Sequence, residues 1–279
     1  MVFHLAAQPL VRRSYKDPAT TFDINVMGLV NVFEAIRECP SVLTIVNATT
    51  DKVYEDHVTI DGYRESDALG GHDPYSSSKA CAEIVSACYR KSFFGRHSQA
   101  SSPRLATARA GNVIGGGDWA EDRLVPDLVR AALEGKPTKI RNPDATRPWQ
   151  HVLEPLSGYL RLGQMLLDDV AYADSWNFGP AYTDERSVLE LVSLLSKTWP
   201  EIRIESDQSS HPHEAGALHL NCDKARQKLD WQPVWNLETA SGRTGTWYRQ
   251  QHESGRIYST EDLNAYIADA RDLGLAWTK

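Results

Sequence analysis

The stretch Val42-Leu43-Thr44-Ile45-Val46-Asn47-Ala48 runs directly into Thr49-Thr50-Asp51-Lys52. Its first seven positions are β-rich without alternation, as in a parallel strand buried on both faces, and hydroxyl and charged groups follow at its carboxyl end. Open α/β sheets bind their ligands at that end. Upstream, Val2 to Ala7 is a short apolar run. Asp17-Pro18 then opens a segment with apolar residues at Phe22, Val26, Leu29, Val30, Phe33 and Ile36, spaced for one helix face. Downstream, Asp73-Pro74 opens a second helix whose apolar positions Cys81, Ile84, Val85 and Cys88 face one way, and Leu105 to Ala108 supplies a third strand. The order is βαβαβ, and the fold class expected is α/β.

Beyond this, the elements alternate less regularly. Helices are expected at Leu124 to Leu133, Val152 to Leu167, Val188 to Trp199 and Asp223 to Leu229, with short strands near Trp176 to Phe178 and Arg203 to Glu205. Gly95 to Pro103 is polar and serine-rich and reads as a surface loop. A last helix is expected within Ser254 to Lys279, packed through Leu263, Tyr266, Ile267 and Ala270. The division expected is residues 1–118 for the sheet-bearing part and 119–279 for a smaller capping region.

Charged residues make up 24% of the chain and hydrophobic ones 41%, and no run of 18 apolar residues is long enough to span a membrane. The start has no secretion-signal pattern, so a cytoplasmic protein is expected. A net charge of −7 argues against sequence-independent affinity for nucleic acid and favours a small ligand. Cys39, Cys81, Cys88 and Cys222 form no CxxC pair and have no metal-ligand spacing with the nine histidines, so free, mostly buried thiols and no metal site are expected.

Tyr75-Ser76-Ser77-Ser78-Lys79 sets a phenol and an ammonium four residues apart on a helix, where both project from one face. A lysine ammonium favours the phenolate, which can then take a hydroxyl proton. By spacing alone, a partly exposed Tyr/Lys pair is the commoner meaning of this pattern. Its position one helix after the strand that ends in Thr50 changes the balance. This order of strand, polar triplet, loop and YxxxK helix resembles the active site of the extended short-chain dehydrogenase/reductase family. That resemblance implies a Rossmann-like, doubly wound parallel sheet with a smaller carboxyl-terminal substrate-binding region, and NAD as cofactor. It also implies that Thr50 bonds a sugar's position-4 hydroxyl, Tyr75 is the base, and Lys79 holds the nicotinamide ribose.

Asp51-Lys52 narrows the resemblance to the family's nucleotide-sugar 4,6-dehydratases, because its epimerases carry small or apolar residues there. Within them the Asp-Lys form is closest to the branch acting on CDP-glucose. By that likeness Asp51 is the acid for the departing position-6 oxygen, and Lys52 is either a base or the stabiliser of an enolate. Gly111-Asn112-Val113-Ile114-Gly115-Gly116-Gly117 is not a GxGxxG turn; it resembles the family's substrate loop, with Asn112 on the nucleotide diphosphate. A plain flexible loop is an equal reading for its three glycines. Arg141 and Arg147 supply guanidinium forks suited to phosphate, and Arg147 matches the family's pyrophosphate-binding arginine. The runs 112–126, 141–159 and 211–215 carry the likeness furthest. His4-Leu5-Ala6-Ala7 resembles the motif under the nicotinamide ribose, which assigns His4, Ala6 and Ala7 to the cofactor, and Asn25 matches a supporting helix asparagine.

Extended members of the family begin with a strand, a GxxGxxG turn and a helix that hold the cofactor pyrophosphate. No such segment occurs in this sequence, whose start resembles the fourth strand of their sheet. The first strands are therefore expected to be missing, through a truncated start or a degenerate protein. Three functional readings follow: a 4,6-dehydratase in deoxysugar synthesis, working as a homodimer or higher homo-oligomer through its two long helices; a 4-epimerase; and a non-catalytic remnant that binds at most the nucleotide sugar.

Overall fold

A computed structural model describes residues 1–57, 61–94, 102–181, 186–206 and 219–278. The expected loop at 95–103 falls mostly outside them, and the run 211–215 wholly so. The strands are β1 (Val2–His4), β2 (Thr44–Ala48), β3 (Arg104–Ala110), β4 (Val113–Ile114), β5 (Thr138–Ile140), β6 (Thr146–Arg147), β7 (Gln150–His151), β8 (Ser175–Phe178), β9 (Arg186–Ser187) and β10 (Ile204–Ser206). The helices are α1 (Val11–Lys16), α2 (Pro18–Phe22), α3 (Gly28–Arg37), α4 (Pro74–Ser92), α5 (Leu124–Leu133), α6 (Leu153–Asp168), α7 (Val188–Thr198), α8 (Asp223–Leu229), α9 (Leu237–Ser254) and α10 (Ser259–Asp272).

The chain forms two compact units. The first comprises Met1–Gly111, Leu156–Phe178 and Leu220–Gln232, and the second comprises Asn112–Pro155, Gly179–His219 and Pro233–Lys279. The expected single division after residue 118 differs from this, because α6 and β8 return to the first unit from well beyond it. Periodicity reports that a segment is a strand and not which strand it will join.

In the first unit β1, β2, β3 and β8 form a parallel sheet in that order, with Ile45 opposite both Val2 and Leu105, and Ala108 opposite Trp176. Successive residues of a strand point to opposite faces. Ile45 and Leu105 therefore meet Leu29, Phe33 and Ile36 of α3, while Val46, Ala106 and Ala108 meet Leu162 and Leu166 of α6 and Trp231. Burial on both faces is why β2 carries no alternation. The first helix is interrupted by a π-helical turn, Asp23–Met27, which lengthens one turn and brings Asn25 inward between buried Thr21 and Leu29.

Of the apolar positions expected to share one face of α4, Ile84 and Cys88 are exposed, Cys81 is half-buried, and Val85 packs against the cluster of Leu29, Phe33 and Ile36. Ile84 is 57% exposed, whereas Tyr75, Ser78, Lys79, Glu83 and Ser86 are buried. The expectation of mostly buried thiols fails for the same reason: Cys88 is exposed, Cys39 and Cys81 are half-buried, and Cys222 is the buried one. A helix can turn its polar side inward when strands opposite supply hydrogen-bond partners, as β2 and β3 do here.

In the second unit α5, α7 and α9 pack around Leu128, Val129, Leu191, Leu195, Trp199 and Trp247. A Cβ at Gly116 would lie 2.0 Å from the Trp247 ring, and one at Gly115 2.8 Å from Val152. These two glycines are packing residues, so the reading of a merely flexible loop does not hold for them. The carboxyl-terminal helix α10 turns Asp262, Tyr266 and Ala270 inward, as the expected stripe has it for Tyr266 and Ala270, but leaves Leu263 43% exposed. Its anchor is polar: Glu154, fully buried, accepts hydrogen bonds from the Val234 and Trp235 amides at 2.9 and 2.8 Å and from the Tyr266 phenol at 2.8 Å.

Burial raises the Glu154 carboxyl to about 7 against the pull of those donors. A carboxyl raised in the folded state holds a proton that the unfolded chain releases. Its contribution is thus fully present below the unfolded value and lost as pH rises to about 7. Urea unfolding across this window is expected to show a fall of up to about 3 kcal/mol from this residue. Glu154→Gln, which does not titrate, is expected to flatten it.

Candidate active site

The strand β2 ends where its partner β3 still pairs with it: the Thr49 amide donates to the Ala108 carbonyl at 2.8 Å. Thr50 then caps a short 3-10 turn, Asp51–Val53, accepting from the Lys52 amide at 3.4 Å while its hydroxyl donates to Asp51 Oδ1 at 3.0 Å. Asp51 is 1% exposed, and its Oδ2 is buried with no hydrogen-bond partner among the described residues. An unsatisfied buried carboxylate oxygen is costly unless a proton or a ligand hydroxyl meets it. Lys52 Nζ lies 3.8 Å from Asp51 Oδ1 and is one-third exposed.

The helix α4 is started by Asp73, whose carboxylate caps the Ser76 amide at 3.0 Å, and by Pro74 in its first turn. This places Tyr75 and Lys79 on its inner face, both buried. Lys79 Nζ donates to the Ala48 carbonyl at 3.0 Å, and its other two N–H donors have no partner among the described residues. Burial pushes the Lys79 ammonium down to about 8, against the upward pull of Glu83. Two spare donors on a buried ammonium at a strand's carboxyl end are chemically suited to the hydroxyls of a ribose.

Asn25 ties this helix to the loop after β1. Its Oδ1 accepts from the Gln8 amide at 2.8 Å, and its Nδ2 donates to the Gln8 carbonyl at 3.0 Å and to Ser78 Oγ at 2.9 Å. His4, the last residue of β1, is opposite Asn47; burial first and then the Lys79 charge lower its pKa. Ala6 is exposed and Ala7 half-buried in the loop that follows. His4, Thr50, Asp51, Lys79 and Tyr75 thus gather at the carboxyl ends of β1 and β2. Tyr159 on α6 belongs with them: its pKa is raised by burial and then by the neighbouring Tyr75 and Asp51. A single tyrosine on a long helix carries no motif, so nothing in the sequence marks it.

Asn112, Arg141 and Arg147 lie in the second unit. Asn112 precedes β4, its carbonyl accepting from the Gln150 amide at 3.0 Å, and its Oδ1 is buried with no hydrogen-bond partner among the described residues. Arg147 is buried in β6, opposite Arg186 of β9, and Arg141 is half-buried just after β5. His151 of β7, also unmarked by motif, is pushed down to about 4 by burial and then by the Arg243 charge, which keeps its ring neutral. The described residues hold no cluster of metal-ligating side chains and no helix long and apolar enough to cross a membrane.

Residues 1–244 match the GDP-mannose 4,6 dehydratase family. The chain is 43% identical over 273 residues to the CDP-glucose 4,6-dehydratase of Salmonella typhimurium, spanning 96% of this chain and 76% of that one. It is 25% identical to the dTDP-glucose 4,6-dehydratase of the same organism, over 88% of this chain and 72% of the relative. Its fold superposes on a dTDP-glucose 4,6-dehydratase double mutant from Streptomyces venezuelae, solved with NAD and DAU bound. The TM-score is 0.73 at 21% identity, covering 90% of this chain and 73% of that one.

Proposed function

The chain belongs to the GDP-mannose 4,6 dehydratase family, and on that premise we propose that it is an NAD-dependent nucleotide-sugar 4,6-dehydratase converting CDP-glucose to CDP-4-keto-6-deoxyglucose. The observation that carries this reading is Asp51, buried beside the Thr50 hydroxyl with one carboxylate oxygen unmatched among the described residues. A 4-epimerase needs no acid for a departing position-6 oxygen; a dehydratase does. The 43% identity to a CDP-glucose 4,6-dehydratase supports the choice of nucleotide sugar.

In this mechanism Thr50 holds the position-4 hydroxyl and Tyr75 takes its proton, with the buried Lys79 ammonium favouring the phenolate. When bound, NAD would supply the hydride acceptor for position 4 and the hydride donor for position 6. Lys79, His4, Ala6 and Ala7 would hold its nicotinamide-ribose end. The ketone acidifies the position-5 proton, and Asp51 protonates the position-6 oxygen as water leaves. Lys52 stands beside Asp51 to take the position-5 proton or to stabilise the enolate. Asn112, Arg141 and Arg147 bind the diphosphate of the substrate. The product would feed deoxysugar synthesis for surface polysaccharides such as O-antigen, in the cytoplasm. Incubation with CDP-glucose and NAD, followed by proton magnetic resonance, tests the reaction. A new methyl signal from position 6 is expected, and formation of CDP-galactose instead would overturn the dehydratase reading.

The working form we propose is a homodimer joined through the long helices of the first unit. Ile84 and Cys88 on α4, together with Ile24 and Met27 on the π turn, leave apolar surface exposed in that unit. Burying an aliphatic side chain of this size contributes about 1.5–3 kcal/mol. Ile84→Glu is expected to shift the sedimentation mass from dimer to monomer, and an unchanged mass would place the interface elsewhere.

A further inference from the structure

Glu83 lies one turn beyond Lys79 on the inner face of α4 and is buried together with Arg109 of β3, each side chain 2% exposed. Five donors from three strands and their loop ends converge on this carboxylate. Arg109 Nε and Nη2 donate to its two oxygens at 3.0 Å each, Thr107 at 2.8 Å, Ser175 at 3.2 Å, and the Thr49 hydroxyl at 2.5 Å. Burial alone would raise the Glu83 carboxyl, but Arg109 and the hydroxyls hold it below its ordinary value, so it stays charged. Arg109 Nη1 reaches the other way, donating to the Tyr54 phenol at 2.9 Å, and Tyr54 in turn donates to Asn177 at 2.6 Å.

Thr49 and Tyr54 flank the turn that carries Thr50, Asp51 and Lys52. One ion pair therefore grips that turn at both ends, through Glu83 before it and Arg109 after it. A buried pair is weak evidence for stability, because desolvation offsets its attraction, and its retention calls for another reason. We propose that the Glu83–Arg109 pair is a positioning clamp for the reaction, fixing the Thr50–Asp51 turn against the helix that carries Tyr75 and Lys79. This rests on the assignment of Asp51 and Tyr75 to the chemistry. Misplacing a reacting group by about 1 Å costs roughly a hundredfold in rate.

Removing either charge would leave the other buried and unpaired, so the test removes one grip at a time. Thr49→Val and Tyr54→Phe each delete a single hydroxyl, whereas Ser175→Ala deletes a donor to the same carboxylate that does not touch the turn. The clamp predicts that kcat falls roughly 10- to 100-fold in the first two with KM within about threefold. Thr49→Ser should recover it, and Ser175→Ala should stay within about twofold of the unmodified protein. Hydrogen exchange at the amides of residues 51–53 should quicken in the first two variants alone. Equal losses of kcat in all three variants, or unchanged exchange in Thr49→Val and Tyr54→Phe, would overturn the clamp. Faster exchange with unchanged kcat overturns its role in the reaction. Normal turnover by Asp51→Asn alongside the expected exchange response would instead remove the acid assignment and leave the clamp standing.

Discussion

Tyr75→Phe is expected to lower turnover by at least about a hundredfold while leaving the affinity for CDP-glucose within a few fold, the scale of losing a positioned proton-transfer group. The substitution deletes one oxygen from a ring that is 8% exposed on the inner face of α4. The helix start does not depend on that oxygen, since it is set by Asp73, Pro74 and the bond from the Tyr75 amide to Ser14 Oγ at 3.0 Å. The fold should therefore be kept, and the loss should fall on kcat and not on KM. Steady-state kinetics with isothermal titration of the substrate separates the two. Near-normal turnover would remove Tyr75 from the mechanism and leave Tyr159, the other phenol beside Asp51, as the group to replace next.

For Asp51→Asn the expected effect is of similar size but of a different kind. In the proposed mechanism oxidation at position 4 does not involve Asp51, whereas loss of the position-6 oxygen does. The variant should stop between them, with slow release of water and near-ultraviolet absorbance from reduced nicotinamide building up on the protein during a single turnover. An amide can still accept the Thr50 hydroxyl, so the turn keeps its hydrogen bond, and the missing function is the proton. A fall of about 10²- to 10⁴-fold in dehydration is the usual range for an acid so placed. If no reduced cofactor accumulates and water loss is unslowed, the acid lies elsewhere.

The two experiments address groups that differ in how far they could be read from the chain alone. The Thr50-Asp51-Lys52 triplet and the Tyr75/Lys79 pair are local patterns: each is set by a strand end or by four-residue helix spacing, and both stand where that spacing puts them. Glu83 and Arg109 are equally central but reach across 26 residues to meet. Tyr54 reaches Asn177 across 123. Arg109 lies just past the expected strand Leu105 to Ala108, and only its inclusion in β3 buries it and so demands a partner, since an isolated charge is not left buried. Nothing in the sequence names that partner.

The sequence by itself determined the α/β class, the parallel strand β2, the caps that start α4 and the chemistry available at its first turn. Those depend on interactions within a few residues, which composition and spacing report directly. Only the tertiary structure decided which face of α4 turns inward, because polar groups of β2 and β3 pair with Ser86 and Glu83 and leave Ile84 outside. It likewise decided that β8, from far along the chain, completes the first unit's sheet. It also decided that Tyr159 interacts with Asp51 and that α10 is held by the buried carboxylate of Glu154 as well as by buried Tyr266 and Ala270. Each of these turns on whether a polar group finds a partner distant in the chain. The free energy of such a pair depends on geometry that no local periodicity encodes.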